Sequence, residues 1–547
     1  MIHKLLAKNG GGTNSVTAAA ALVGAASLVS RLLGVFRDRV LAAEFGAGSN
    51  LDVYYAAFRV PDLLFNLLIL GALSAGFIPV FTQLLRRHLV SKKVSGSPAA
   101  WHLVNSLVTI IFIAVIVIGS ILYFITPSIA PLLAPGFNEA QLDQLVQLTR
   151  IMYLSPLLLG ISGVLAGILQ SFRQFLVYAL APVMYNIGII IGALFLVPIL
   201  GLEGLAWGVV LGAGLHLLIQ LPLAFKLGWR FRFRFKLDKS IRTVLRLMVP
   251  RTASLAIAQL NLVVITIIAS TAAVGSLAIF NLAFNLQSLP LGIFAISFAI
   301  AAFPTFAELA NRKKELIEVF SRTVRQVLFF MVPFSTLLIV LRAQLVRTVL
   351  GSGRFDWEDT VLTMQALSLF ALSLVAQAIT PIITRVFFSL HDTKTPFTSM
   401  LISAGVNLVL SVWLVKSLGV LGLVIAFGIS SYLALLLLAV ALRKKLGSLN
   451  SWPIIISFSK ITVASAGLAI VVQLVKWGIT PFLGLGGTDT FLGIASQGFI
   501  AGVFGIFAFV VIARMLRVPE VSLLTNAIKR RPKVINVPAE AVEKELD

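Results

Sequence analysis

No cysteine occurs in the sequence, which excludes disulfides, thiolate metal sites and cysteine nucleophiles. Acidic residues are scarce, with 21 Asp and Glu in 547 residues. The four charged types together make up 12%, about half of the ~25% usual in soluble domains. So little charge cannot cover soluble domains of this total size. A cytosolic multidomain enzyme, a disordered chain and a secreted disulfide scaffold are excluded. Signature motifs are missing too. There is no G-x-x-x-x-G-K-S/T phosphate loop and no H-E-x-x-H pair. The five histidines (His3, His88, His102, His216, His391) are scattered without metal-ligand spacing. The expectation is a protein that is no enzyme and carries no cofactor, with a membrane potential or an ion gradient as its available drive.

What the chain has instead is apolar length. Hydrophobic residues make up 59%, against ~45–50% in soluble domains, and mean hydropathy is +1.00. They come in long unbroken runs, not in the ~10-residue alternating segments of an outer-membrane barrel. The fold class is an all-α polytopic membrane protein. A span-length window places about fourteen transmembrane helices. The first six lie near 15–43, 53–85, 102–126, 146–172, 178–199 and 203–225. Six more lie near 243–271, 275–306, 318–341, 360–389, 396–416 and 419–442, and a final pair near 454–477 and 490–514.

Basic residues outnumber acids by 44 to 21, for a net charge of +23. In a soluble protein that excess would suggest nucleic acid. Here the bases sit between apolar runs, so no nucleic-acid partner is expected. Arg86-Arg87, Lys92-Lys93, the Trp229–Lys239 run, Arg312-Lys313-Lys314, Arg443-Lys444-Lys445 and Lys529-Arg530-Arg531 fall on one side. With the N-terminus, that side carries about thirty bases against about five opposite, which marks it as cytoplasmic and puts both termini inside. The opposite side holds Glu44, Asp52, Glu139, Asp143 and a larger segment, Arg342–Asp359. The alternation Trp229-Arg230-Phe231-Arg232-Phe233-Arg234-Phe235-Lys236 suits an interfacial linker, with rings at head-group depth and cations on anionic phospholipids.

The chain repeats itself. Asp52–Arg59 echoes Ala278–Asn285, Ile78–Leu84 echoes Phe303–Leu309, and Gly201–Leu205 echoes Gly419–Leu423. The common offset is about one six-span unit, an even number, so the two halves would be parallel repeats around a central cavity. The expected organisation is an N-terminal six-helix lobe at 1–228 and a basic-aromatic cytoplasmic linker at 229–242. A second six-helix lobe at 243–446, a helical pair at 447–517 and a cytoplasmic tail at 518–547 follow.

Charges at membrane depth are costly and mark function by default. The first span carries Arg31, Arg37 and Asp38, and the second opens on Asp52 and carries Arg59. Arg251 follows Pro250 at the start of the seventh span, and Arg385 lies late in the tenth. Uncharged polar groups gather too, among them Asn66, Asn186, Asn261, Asn281 and Asn285; such groups mostly join helices together. Arginines with few buried acids favour an anionic substrate, because guanidinium binds phosphate bidentately. A cation transporter would need carboxylates inside.

Several blocks resemble a known family. They are Ser30-Arg31-Leu-Leu-Gly34-x-x-Arg37-Asp38, Phe45-Gly46-Ala47-Gly48, Phe58-Arg59-Val-Pro61 and Gly71-Ala72-Leu-Ser74-x-x-Phe77-Ile-Pro79. Further along come Ala134-Pro135-Gly136-Phe137, Ala181-Pro182-x-x-x-Asn186 and Arg385-x-Phe-Phe-Ser-Leu-x-Asp392-Thr393-Lys394-Thr395-Pro396. In order and over nearly the whole chain they are similar to MurJ/MviN-type lipid II flippases of the multidrug/oligosaccharidyl-lipid/polysaccharide exporter superfamily. The resemblance implies a flippase of the bacterial cytoplasmic (inner) membrane. It would move an undecaprenyl-diphosphate-linked peptidoglycan precursor between leaflets by alternating access, alongside cell-wall synthesis proteins. It also implies substrate-binding roles for Arg31, Arg37, Asp38, Asp52 and Arg59, and a groove for the lipid tail on the last two spans. The sequence departs from the pattern where relatives carry cavity charges: here stand Phe65-Asn66, Leu70, Phe284-Asn285 and Ser288. Asn66, Asn285, Arg251 and Arg385 complete the candidate site. A secondary antiporter or polysaccharide-precursor exporter of the same superfamily, and a non-transporting cell-wall scaffold, stand as alternatives.

Overall fold

The computed structural model describes residues 16–67, 76–90, 98–480 and 490–523. Both termini, Leu70, the Gly71–Ser74 block, Lys92-Lys93 and the basic Lys529-Arg530-Arg531 tail lie outside the described residues, as do the side chains of Arg86, Arg87 and Arg251.

Helices follow one another with short turns. The first half runs α1 (Val16–Phe45), α2 (Ser49–Ala57), α3 (Arg59–Phe65), α4 (Ile78–Val90), α5 (Pro98–Leu133), α6 (Glu139–Met152) and α7 (Leu154–Ser171). It continues with α8 (Phe175–Ile191), α9 (Val197–Leu200), α10 (Glu203–Leu218) and α11 (Leu221–Lys226). After the linker come α12 (Lys239–Ser270), α13 (Ser276–Pro290), α14 (Ile296–Glu308), α15 (Lys313–Val340) and the short α16 (Arg342–Val349). Then follow α17 (Trp357–Ser389), α18 (Lys394–Leu418), α19 (Val420–Leu446), α20 (Ser451–Ile479) and α21 (Phe491–Met515). Among the described residues no strand occurs, as expected where each backbone polar group must be satisfied within its own segment.

Among the described residues eleven helical stretches are long and apolar enough to cross a membrane, and Gln259–Ser270 of α12 is a shorter apolar stretch. Large apolar side chains point outward along them, such as Phe124, Trp413 and Phe507, as a lipid-facing surface requires. The segment Arg342–Asp359, expected as a loop, contains α16. Its Gln344 is buried and donates to Gln497 of α21 at 2.8 Å, so eight residues suffice for a helix when neighbours cover one face.

Small residues bring helices together. Gly188 of α8 lies against Gly212 of α10, and Gly192 against Gly208, at four-residue spacing on both sides. A side chain at any of the four would collide with the opposite backbone, so the contact depends on glycine. Pro290 lacks an N–H and ends α13 in a π-helical turn, Leu291–Ala295. The repeat-equivalent Asn66–Leu67 widens in the same way.

Three apolar cores hold the bundle. One surrounds Phe77, Leu103 and Trp229 and takes in Ile241 and Val244 from the start of α12, so α12 packs on the first half there. A second joins Phe329, Leu374 and Leu442 to Leu468 and Phe509 of the final helical pair. The third joins Leu41, Leu51 and Tyr54 to Leu277, Phe280 and Phe370, knitting the two halves at the end away from the basic loops.

Candidate functional site

The polar groups of α1 lie along the seam where it meets α8 and α13. Arg37 donates to Asp38 through Nε (3.0 Å) and Nη2 (2.7 Å), and through Nη1 to Asn186 Oδ1 of α8 at 3.2 Å. The second carboxylate oxygen of Asp38 accepts from Asn285 Nδ2 of α13 at 2.9 Å. The Arg37–Asp38 pair thus ties α1 to both halves, through Asn186 in the first and Asn285 in the second. Asp38 is almost wholly buried, whereas Arg37 keeps 23% of its side chain exposed.

Arg31 sits two turns earlier on α1 and reaches the π turn after Pro290. A Cβ added at Gly292 would collide with its guanidinium, so the arginine rests directly on bare backbone. Arg59, buried between α2 and α3, donates from Nε to Thr266 Oγ1 (2.6 Å) and from Nη2 to Asn281 Oδ1 (2.9 Å). Both acceptors belong to the second half. Asp52 accepts from the backbone N–H groups of Gly275 (2.6 Å) and Ala278 (2.8 Å), satisfying the first turn of α13 with a negative charge at its positive end.

These five residues therefore line one seam between α1–α3 and α12–α13. Asn285 joins them through Asp38, Asn66 and Arg385 do not, and the side chain of Arg251 lies outside the described residues. Asn66 donates to the carbonyl of Asp62 at 2.8 Å, within its own turn. Arg385 lies one turn from the end of α17, at the opposite end of the bundle from Asp52. Arg251 belongs to α12. Phe58 packs edge-on against Tyr54, while Phe284 belongs to an aromatic cluster with Phe280, Phe370 and Phe427.

The partners Thr266, Asn281 and Gly292 complete the seam, with Asn186 on its first-half side. The asparagines were visible in the sequence as helix-joining groups; nothing distinguished Thr266 or Gly292 from dozens of similar residues. At the same end as Asp52, the halves close on each other a second time. Ala47 N donates to Asp359 Oδ2 at 2.8 Å, and Arg354 N donates to the Ala43 carbonyl at 2.8 Å. Each half thus lends a carboxylate to backbone donors of the other. No group of three or more His, Asp or Glu that could hold a metal ion is present among the described residues.

Residues 41–485 match the family model described as lipid II flippase MurJ. The chain belongs to the MurJ family. The match begins after Arg31, Arg37 and Asp38, but a relative spans them: a probable lipid II flippase MurJ of Rhizobium tropici is 26% identical over 538 residues, 96% of this chain and 98% of its own. Among solved structures, a lipid II flippase MurJ in an inward closed conformation superposes with a TM-score of 0.73 at 24% identity, covering 91% of this chain and all of that one. An inward-facing multidrug MATE transporter of the MOP superfamily follows at 0.64 and 14% identity, over 77% of this chain and 96% of its own. The MurJ fold is thus shared with exporters of other substrates.

Proposed function

We propose that the protein is a lipid II flippase of the bacterial inner membrane. It would span the membrane fourteen times with both termini in the cytoplasm, and its two six-helix lobes would alternate access to a central site. The substrate would be the undecaprenyl-diphosphate-linked peptidoglycan precursor, its head group in the cavity and its prenyl tail along the groove of α20 and α21. One observation carries this assignment within the MurJ family: Arg31 and Arg37 sit at membrane depth on the seam, and Arg37 stays partly open although Asp38 pairs with it.

A diphosphate that leaves water loses hydration, and charge-assisted contacts to guanidinium offset that loss. Arg31 and Arg37 would supply those contacts, with Asn186 orienting the second directly and Asn285 through Asp38. Arg59 and Asp52 serve differently. Both are already committed to groups of the opposite half, so they would fasten the lobes in this state and release when the distal end opens. Asp38 and Asp52 are engaged in the same way, which leaves neither free as the ion-binding acid an antiporter would need.

Complementation tests the assignment. Expressed in a host depleted of its own lipid II flippase, the wild-type chain should restore growth. Arg31→Ala and Arg37→Ala should each fail although the protein reaches the membrane, and lysine at either position should rescue only in part, since the bidentate fork is lost. Full activity of both alanine variants would overturn the assigned roles, and failure of the wild type would overturn the substrate.

A further inference from the structure

We propose that the cavity between α1, α16 and the start of α21 binds an anionic glycerophospholipid, with the phosphate on Arg39 and one acyl chain along α1. The cavity measures about 370 Å³. From α1 it takes Leu32, Val35, Phe36 and Arg39, spaced i, i+3, i+4 and i+7, which is a single helix face. Val349 and Phe491 close the other walls. Leu32 and Phe36 remain 58% and 49% exposed, so no described residue covers the stripe.

The stripe is apolar for roughly 10 Å and then ends in a cation, an order that follows from the helix rise. Arg39 is held in place: Nη1 donates to the carbonyls of Thr348 and Val349, and the guanidinium carbon lies 4.9 Å above the Phe491 ring. Among the described residues it forms no ion pair with an acid, and none of them accepts from Nε or Nη2. A guanidinium at membrane depth without a carboxylate calls for another anion. Beside it, Arg347 lies 5.2 Å from the ring of Trp357, an exposed base–aromatic pair of the kind found at head-group level.

Polarity fixes the orientation of the occupant. The cation lies toward the end of α1 that leads into the Gly46 turn, away from the basic loops, and the charge asymmetry makes that the outer leaflet. A phospholipid of that leaflet, head outward and chain inward, matches the stripe end for end. Because Arg39 and Thr348 belong to opposite halves, the occupant would favour the state in which the distal end is closed.

The full-length protein in nanodiscs, with a photoreactive phosphatidylglycerol carrying a diazirine on one acyl chain, tests the site. Cross-links mapped by peptide mass spectrometry should fall on the Leu32–Arg39 face and on Phe491. Unlabelled phosphatidylglycerol should displace the probe and phosphatidylcholine should not. Arg39→Gln should lower labelling there on the order of tenfold, the loss of one charge-assisted contact, while labelling at the 229–236 linker is unchanged. Val35→Trp, which keeps the charge and fills the space, should abolish it, and unchanged melting temperatures would show that both variants fold. Equal labelling by a phosphatidylcholine probe, or labelling insensitive to both variants, would overturn the proposal. Displacement by a polyprenyl diphosphate at lower concentration than by phosphatidylglycerol would overturn it in favour of the transported lipid.

Discussion

At Gly292 a hydrogen atom in place of a methyl group decides where a charge sits. The obstacle to a side chain there is the far end of Arg31, which swings away at little cost, so Gly292→Ala should leave the fold intact while displacing the guanidinium. Growth support should fall as far as it does for Arg31→Ala, and the double variant should be no worse than either single one. Full growth support by Gly292→Ala would show that this resting place is immaterial. Arg37 and Asp38 permit a sharper separation of stability from binding. Removing Arg37 alone strands a buried carboxylate, a loss of about 3–5 kcal/mol. Arg37→Ala combined with Asp38→Asn removes both charges, so thermal melting should recover while transport stays absent. Recovery of transport in the double variant would mean that the guanidinium serves the fold alone. The arginines were legible in the sequence because charge at membrane depth is rare. Their asparagine partners were legible only as helix-joining groups and Thr266 not at all, since membrane helices use these residue types everywhere to hold one another.

Helix ends carry the closure of the distal face. Gly275 opens α13 at a φ of 87°, where a side chain is strained and would also strike the Ala47 carbonyl. Gly275→Ala should therefore loosen this end, seen as faster thiol labelling of Ala47→Cys from that side; an unchanged rate would show that the contact is dispensable. At the opposite face, Asp392 accepts from Thr395 N and from Lys445 Nζ, joining the start of α18 to the end of α19. Burial would raise its carboxyl, but the bonds to Lys445 and Thr395 outweigh that and hold it at about 2. Since the ordinary value is ~3.9, this stabilisation is present above about pH 4 and is lost as pH falls toward 2. Asp392→Asn should lower the melting temperature at neutral pH and remove the acid-dependent part of the transition; identical pH profiles would refute the link. Among the described residues hydropathy located eleven of the expected spans, because lipid demands about twenty apolar residues each. It passed over the breaks at Phe58 and Tyr153 and the short α16, all of which are set by contacts distant in the chain.

The whole molecule is joined across its halves where Asp52, Asp359, Arg354 and Ala43 meet, and a transporter with alternating access must part these contacts once per cycle. The absence of cysteine makes the consequence measurable. Ala43→Cys with Arg354→Cys places two thiols at a point where the backbones of the halves touch. A short membrane-impermeant bifunctional reagent added to intact cells should cross-link them only if this end faces outward, as the sparse basic residues there predict. Outward movement of an anionic head group would gain ~2.3 kcal/mol per charge per 100 mV from an inside-negative potential, but a locked distal end forbids the step whatever the drive. Cross-linking should therefore stop precursor transport, and a cleavable linker should restore it on reduction. Single-cysteine variants treated identically should stay active. Cross-linking seen only after lysis would reverse the assigned orientation, and full transport by the cross-linked protein would rule out opening at this end.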